Sequence, residues 1–131
     1  MNYVDANVFL YPVLYPDDKK AETAKEAFFK SDETPLTTSA LTWDEVVWVV
    51  KKHMGLDQAK IEGRKMLTLP NLFIAPADLA LLGEAQKLVE KYNVKPRDSI
   101  HAATAIKHKV IEFITNDKDF LAIKELKVKL L

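Results

Sequence analysis

The stretch VIEFITND, residues 110–117, is an apolar run that ends in an acidic residue, and MNYVD, residues 1–5, has the same arrangement. Short runs rich in β-branched and aromatic residues are typical of buried strands. The sequence predicts five such strands, at residues 1–4, 35–38, 71–75, 110–115 and 128–131. Because helical segments separate these strands, the pattern predicts an α/β fold with a mostly parallel sheet.

Helices are predicted where apolar residues recur with helical spacing, and Ser39 and Asp57 are the expected N-caps of two of them. The predicted helices cover residues 17–30, 39–53, 57–69, 77–92 and 97–107, with a short helical turn at 118–123. Gly55 is expected to end the helix that begins after Ser39. Pro12 and Pro16 punctuate the segment after the first strand, and no helix is predicted there.

Residues 1–131 are expected to form one domain, since this length suits a single hydrophobic core. The connection between the third and fourth strands carries two helices, and such a long crossover fits a reversal in the direction of strand addition. With right-handed crossovers, the expected strand order is 3-2-1-4-5 in a three-layer α/β/α arrangement. Ligands of such sheets bind at the carboxyl ends of the strands beside the reversal, here strands 1 and 4.

Four acidic residues are expected to meet at that edge: Asp5, Glu45, Asp98 and Asp117, called here the acidic quartet. Asp5 and Asp117 follow strands 1 and 4, Asp98 opens a helix, and Glu45 lies within the first two turns of another. Converging carboxylates repel one another unless a cation lies between them, so their pKa values should be raised without metal. The quartet therefore predicts a metal site.

Each member of the quartet also has an ordinary interpretation. Asp5, Asp98 and Asp117 are all suited to cap a helix or a turn. Glu45 is harder to explain, because its helical neighbours include no basic residue, and its burial is costly unless a distant group pairs with it. The joint placement of the four residues favours a functional site. His101, one turn after Asp98, is interpreted as a packing or hydrogen-bonding residue.

Other polar and aromatic residues extend this hypothesis. Asn7, Thr115 and Asp119 are candidates for supporting or orienting the carboxylates. The helix that carries Glu45 is apolar nearly all round, and its Trp43 and Trp48 indicate either core burial or a dimer surface. Basic residues cluster in the second and third helices, where they form a solvated face or a patch that contacts phosphates: Lys51, Lys52, Lys60, Arg64 and Lys65.

Composition excludes several classes of function. Lys plus Arg and Asp plus Glu both number 19, so net charge gives no general support for a nucleic-acid or membrane partner. The absence of cysteine excludes disulfides, zinc–thiolate sites and cysteine nucleophiles. There is no P-loop and no glycine-rich dinucleotide loop. No apolar run reaches membrane length and no signal peptide is evident, so a cytoplasmic location is expected.

The chemistry of the quartet points to a hard cation, because carboxylate oxygens favour Mg²⁺ or Mn²⁺. One such ion lowers the pKa of a bound water, and a second can stabilise the departing oxygen of an in-line phosphoryl displacement. The reaction indicated is metal-dependent hydrolysis of a phosphodiester.

The chain resembles PIN-domain proteins, and among them the VapC-type toxin ribonucleases of prokaryotic toxin–antitoxin pairs. The resemblance rests on VDANVFLY (residues 4–11), the helix of Glu45, PRDSIHAATA (96–105) and ITNDKDF (114–120), in this order. It implies a Mg²⁺- or Mn²⁺-dependent endoribonuclease with the acidic quartet as its catalytic and metal-binding residues. It also implies a homodimer and a small antitoxin partner. The basic patch would then have to contact RNA, chiefly through Lys51, Lys52, Arg64 and Lys65.

Three alternatives remain open from the residues. A Mg²⁺-dependent phosphatase of the haloacid-dehalogenase type also begins with a strand that ends in Asp, but it would need a second Asp where this chain has Asn7. A phosphorylated receiver domain would need a phosphorylatable Asp after the third strand, where Ala75 and Pro76 stand. A non-catalytic module that binds RNA or protein on the same fold is the alternative of a different class.

Overall fold

The computed structural model describes residues 1–131 and contains one five-stranded sheet. The strands are β1 (Asn2–Val4), β2 (Leu36–Ser39), β3 (Leu72–Ala75), β4 (Phe113–Thr115) and β5 (Val128–Leu130). They lie in the order β3-β2-β1-β4-β5, and every neighbouring pair is parallel. The predicted α/β class and the strand order 3-2-1-4-5 are therefore confirmed. Strand β4 is shorter than predicted, because residues 110–112 lie outside it.

Six α-helices and one short 3₁₀ turn surround the sheet. The helices are α1 (Ala6–Leu14), α2 (Lys19–Phe29), α3 (Ala40–Met54), α4 (Leu56–Leu67), α5 (Leu79–Tyr92) and α6 (Pro96–Lys107), and the 3₁₀ turn is Lys118–Ala122. None of these helices is long and apolar enough to cross a membrane.

Helix α1 is absent from the sequence prediction, and its presence corrects that prediction. Pro12 lies inside the helix, in its last turn, where its missing N–H removes one backbone hydrogen bond. Val8 and Phe9 are buried against the sheet. Burial of these side chains outweighs the unfavourable proline, because tertiary packing routinely overrides local propensity.

The junction of α3 and α4 also differs from the prediction in one detail. Gly55 ends α3, with its N–H donating to the carbonyl of Lys51, and the same glycine is the N-cap of α4. Asp57 therefore lies in the first turn of α4 instead of capping it. The φ angle of Gly55 is 91°, a left-handed value that glycine adopts without a side-chain penalty.

Alternating residues of the central strands build two separate cores on the two faces of the sheet. Val4 and Ile114 point to the face covered by α1 to α4. Tyr3 and Phe113 point to the face covered by α5, α6 and the 3₁₀ turn. The result is the expected three-layer arrangement, with β1 and β4 side by side at its centre.

Candidate functional site

A cleft of about 610 Å³ opens at the carboxyl edge of the sheet, where β1 and β4 end. The structure brings all four residues of the acidic quartet to this one cleft, although they come from four different parts of the chain. The polar residues that line it are Asp5, Asn7, Glu45, Lys95, Arg97, Asp98, His101 and Asp117.

Asp5 is the most deeply buried member of the quartet, with only 6% of its surface exposed. It caps α1, and its Oδ1 accepts the N–H of Ala6 at 2.8 Å. Its Oδ2 accepts the hydroxyl of Thr115 at 2.7 Å and the side-chain amide of Asn7 at 3.3 Å. Burial raises the pKa of Asp5, while the nearby His101 and the Thr115 hydrogen bond oppose that rise. The carboxylate is thus held rigidly at the floor of the cleft.

Asn7 and Thr115 connect the end of β1 to the end of β4. The amide of Asn7 lies 3.3 Å from Thr115 Oγ1, and its Oδ1 accepts the N–H of Asn116 at 2.8 Å. Thr115 Oγ1 in turn accepts the N–H of Asp117 at 3.0 Å. These two polar residues therefore fix the relative positions of Asp5 and Asp117.

Asp98, Asp117 and Asp119 form a second group beside Asp5. Each offers a carboxylate oxygen, and these oxygens lie within 4.8 Å of one another. Asp98 is in the first turn of α6, and Asp117 caps the 3₁₀ turn by accepting the N–H of Asp119 at 2.9 Å. Burial, followed by repulsion from Asp117, raises the pKa of Asp98. Asp119 lies at the exposed rim, where Lys95 Nζ is 3.7 Å from its Oδ2.

The expected direction of the pKa shift is found for Asp5 and Asp98, but its main cause differs from the expected one. Burial is the largest cause for both residues, and repulsion between carboxylates ranks lower. Charged carboxylates in this cleft are therefore costly for two reasons, loss of water and proximity to one another.

Glu45 pairs with a residue far away in the sequence. Its Oε1 lies 2.8 Å from Nε2 of His101, across 56 positions of the chain. His101 is only 2% exposed, and its Nδ1 lies 2.6 Å from the hydroxyl of Tyr3. Burial alone would lower the pKa of His101, but the hydrogen bond to Glu45 and the charges of Asp5 and Glu45 raise it overall.

His101 is therefore a member of the site's structure that the sequence analysis treated only as a packing or hydrogen-bonding residue. One signal pointed to it, because His101 follows Asp98 by three positions and side chains at this spacing share one face of a helix. The partner could not be identified from the sequence, since Glu45 is brought to it by the packing of α3 beside α6.

The donor set fits a hard divalent cation. Ligand atoms of Asp5, Glu45 and His101 lie within 4.8 Å of one another, as do those of Asp98, Asp117 and Asp119. Apart from the histidine nitrogen, all are carboxylate oxygens, which suit Mg²⁺ or Mn²⁺ better than a soft metal. A cation would also offset the cost of burying these charges.

The basic residues that line the cleft differ from those predicted to contact phosphates. Lys95 and Arg97 line the cleft on either side of Pro96. None of the predicted phosphate contacts is among its lining residues: Lys51, Lys52, Arg64 and Lys65. Lys65 instead borders a separate apolar groove. The sequence does contain a signal for these residues, since the stretch KPRD at residues 95–98 has two basic side chains just before Asp98 of the quartet.

Trp48 stands at the rim of the cleft and is 60% exposed. Trp43, on the same helix, is 39% exposed, and its indole lies close to Gly63 of α4. Less than half of the Trp48 surface is therefore buried, and its large apolar side chain is available to a partner.

Comparison with known proteins gives a family and a set of similar structures. The family model described as the PIN domain matches residues 3–126. No curated protein sequence matches the chain.

Three solved structures illustrate the similarity of fold. A toxin–antitoxin complex from Klebsiella pneumoniae contains a chain with 25% identity and a TM-score of 0.69, covering 96% of this chain and 95% of that one. VapBC2 from Rickettsia felis, bound to a promoter DNA fragment, has 18% identity and a TM-score of 0.74, with 99% and 98% covered. VapC20 from Mycobacterium tuberculosis, a toxin that cleaves the sarcin–ricin loop, has 16% identity and a TM-score of 0.80, with 98% of both chains covered.

Proposed function

This chain belongs to the PIN-domain family, and we propose that it is a metal-dependent endoribonuclease that acts as the toxin of a toxin–antitoxin pair. The observation that carries this proposal is the convergence of Asp5, Glu45, Asp98 and Asp117 in one cleft at the carboxyl edge of the sheet. Such a concentration of carboxylates is expected where a protein binds divalent cations for phosphodiester chemistry.

The acidic quartet would hold the ion or ions, with Asp5 at the buried floor and the supporting Asp119 at the exposed rim. A divalent cation bound there would supply positive charge to the scissile phosphate and lower the pKa of a water molecule. In hydrolysis a water molecule loses a proton as its oxygen bonds to phosphorus, the bond from phosphorus to the departing sugar oxygen breaks, and that oxygen takes up a proton. Mg²⁺ and Mn²⁺ both suit the oxygen donors.

The protein's own contribution is to position these groups before the substrate arrives. Asp5 is fixed by three hydrogen bonds, from Ala6, Asn7 and Thr115. A carboxylate fixed in this way needs little reorganisation when charge develops on the phosphate, which is the main source of electrostatic catalysis.

We expect the RNA backbone to approach over Lys95 and Arg97, which lie beside the carboxylates. Cations at this position would contact the phosphates next to the cleavage point, and single-stranded RNA fits an open cleft more easily than a duplex. The patch of Lys51, Lys52, Arg64 and Lys65 stays a proposal for phosphates farther from the cleft. Cleavage of RNA by such an enzyme would take place in the cytoplasm.

A second surface supports an antitoxin partner. An apolar groove of about 350 Å³ lies between α1, α2 and α4, and its charged residues are Lys25, Glu62 and Lys65. Phe29 at this groove is 80% exposed. An amphipathic helix of an antitoxin would bury such a surface. The similar chain from Klebsiella pneumoniae belongs to a toxin–antitoxin complex, and the one from Rickettsia felis belongs to VapBC2. Both support an antitoxin as the occupant of this groove.

The homodimer also remains a proposal, supported by exposed apolar side chains of α3 and the start of α4. Trp48, Met54 and Leu56 are 60%, 48% and 52% exposed. We expect sedimentation to show a dimer that Trp48→Ala weakens. A wild-type monomer at high concentration would contradict this assignment.

The proposed activity is tested by incubating purified protein with a mixed RNA pool in Mg²⁺, in Mn²⁺ and in chelator, beside Asp5→Asn. Cleavage that needs metal and disappears in the variant is the expected result. RNA that is bound but left intact under every condition would favour a non-catalytic binding module. Hydrolysis of a phosphate monoester without RNA cleavage would favour the phosphatase.

A further inference from the structure

A continuous buried chain of hydrogen bonds leads from the backbone of β2 to the carboxylate of Glu45. The N–H of Ser39 donates to the Tyr3 hydroxyl at 3.2 Å, and that hydroxyl lies 2.6 Å from His101 Nδ1. His101 Nε2 then lies 2.8 Å from Glu45 Oε1. We propose that Tyr3 and His101 are positioning residues, which orient Glu45 for metal binding in the nuclease reaction. This inference rests on the proposed function.

The direction of each hydrogen bond in this chain follows from whether its two partners can donate or accept. Glu45 can only accept through its carboxylate, so Nε2 of His101 must carry a proton and donate to it. In the neutral ring Nδ1 is then an acceptor, and the Tyr3 hydroxyl donates to it while it accepts from Ser39. Glu45 and Tyr3 therefore favour the same tautomer of His101, the one that donates to Glu45, and a protonated ring would also keep the proton on Nε2.

His101 itself is poorly placed to be a metal ligand, despite its proximity to Asp5 and Glu45. Both of its ring nitrogens already have protein partners, and its ring is only 2% exposed. A metal ligand needs a nitrogen lone pair that faces the ion, and neither nitrogen offers one in this arrangement. The histidine thus acts through Glu45.

Tyr3 is a rigid anchor for the chain of hydrogen bonds. It is fully buried in β1, and its ring stacks on Phe113 of β4 at a centroid distance of 4.6 Å and an interplanar angle of 7°. Phe113 is also its partner in the register of the two strands. The position of the hydroxyl is therefore set by the centre of the sheet.

These contacts fix the side chain of Glu45, which lies on a mostly apolar stretch of α3. The bond to His101 occupies Oε1 and leaves Oε2 for a cation. Residues that orient metal-binding carboxylates in this way typically change metal affinity by about 10- to 100-fold when they are mutated. We expect a loss of this size from His101→Leu, and a smaller loss from Tyr3→Phe, which removes only the hydroxyl.

The test measures Mn²⁺ affinity by calorimetry and RNA cleavage for wild type, Tyr3→Phe, His101→Leu and His101→Gln. Gln can still donate an amide N–H toward Glu45, so we expect it to restore part of the affinity that Leu loses. The turnover number kcat should fall more than KM for RNA changes, since RNA contacts are unaltered. Tyr92→Phe is the matched control, because its hydroxyl bonds to Glu125 at 2.6 Å, away from the cleft.

A double-mutant cycle separates positioning from simple loss of stability. If His101 acts through Glu45, His101→Leu should cause no further loss of Mn²⁺ affinity when Glu45 is already Gln. Losses that add in the double variant would overturn the proposal, as would wild-type affinity in His101→Leu.

Nitrogen-15 NMR of the imidazole gives a readout that needs neither metal nor RNA. We expect a protonated Nε2 in wild type and in Tyr3→Phe, with the Nδ1 resonance shifted in Tyr3→Phe because that nitrogen loses the hydroxyl that donates to it. A wild-type ring with a bare Nε2 would overturn the proposal. Wild-type protein that neither binds Mn²⁺ nor cleaves RNA would instead defeat the proposed function and this inference together, whereas active protein with unaffected variants would defeat only the inference.

Discussion

Thr115 Oγ1 lies 2.7 Å from Oδ2 of Asp5, so the end of β4 is bonded directly to the first acidic residue of the cleft. The same hydroxyl oxygen accepts the N–H of Asp117 at 3.0 Å. One side chain therefore sets the distance between two carboxylates that come from strands more than a hundred residues apart in sequence. A hydroxyl with two such partners should be sensitive to replacement by a methyl group.

Thr115→Val should destabilise the protein by about 1–3 kcal/mol, because the carboxylate of Asp5 loses a donor and the N–H of Asp117 loses its acceptor. The Mn²⁺ affinity should fall by about tenfold or more. Urea unfolding and calorimetry measure the two effects. Thr104→Val is the control, since Thr104 bonds only to the carbonyl of Ile100 within its own helix. Equal Mn²⁺ affinity in both variants would argue against this role for Thr115.

Glu45→Gln should reduce kcat/KM for RNA by about a hundredfold or more, as expected when a charged group that acts directly in the reaction is neutralised. Asp44→Asn removes a neighbouring charge of the same sign from an exposed position outside the cleft. Its cleavage rate should stay near that of wild type. If both variants lost activity equally, general electrostatics of α3 would explain the effect better than a specific site.

Asp98→Asn should raise the melting temperature of the metal-free protein. The folded state raises the pKa of Asp98 above 3.8, mainly through burial. Its contribution to stability is therefore present below pH 3.8 and lost as pH rises through the higher folded value, so the charged form is costly at neutral pH.

The same variant should lose most of the stabilisation that Mn²⁺ gives to the wild type, because a ligand carboxylate is gone. Thermal melts in chelator and in Mn²⁺, at neutral pH and near pH 4, measure both effects. A melting temperature in chelator below that of the wild type at neutral pH would contradict the expected cost of this charge.

Arg97→Gln should raise KM for RNA by several-fold with little change in kcat, and it should weaken the dependence of binding on salt. Lys52→Gln is the comparison, because Lys52 belongs to the basic patch that does not line the cleft. Cleavage rates over a range of RNA and salt concentrations distinguish the two positions. A larger effect at Lys52 would place the RNA path over α3 and α4.

Gly83→Ala should stabilise the protein by about 0.5–1 kcal/mol, since alanine is favoured over glycine inside a helix. A Cβ at Gly83 would meet no atom within 4 Å. A Cβ at Gly63 would lie 2.9 Å from Val47 Cγ2, where α3 and α4 approach closely. Gly63→Ala should therefore gain less stability or lose it. Urea denaturation midpoints compare the pair, and equal gains would show that α4 can move away from α3.

The sequence was most informative where one local rule acted alone. Apolar runs that end in Asp5 and Asp117 indicated two strands and the edge to which their acids belong, because parallel strands share a carboxyl edge. The same reasoning failed for α1, where Pro12 argued for a loop and burial of Phe9 decided otherwise. Local propensity cannot reveal how much apolar surface a segment will bury.

Contacts between elements that are distant in the chain could not be predicted from the sequence, for a related reason. The need of Glu45 for a distant partner could be inferred from its apolar neighbours, but His101 could not be identified as that partner. The choice depends on how α3 packs beside α6, which periodicity does not determine. Likewise, basic residues are more numerous on α3 and α4 than near Asp98, so the sequence predicted phosphate contacts on those helices. Only the folded cleft brings Lys95 and Arg97 beside the acids.

The position of β4 at the centre of the sheet has a consequence for protein synthesis. β1 is made first, but one of its two neighbours in the sheet, β4, is made only after residue 112, and Asp117 follows it. A nascent chain that has not yet released this segment lacks both Thr115 and Asp117, so it cannot assemble the cleft. The proposed site should therefore become complete only after residue 117 has left the ribosome.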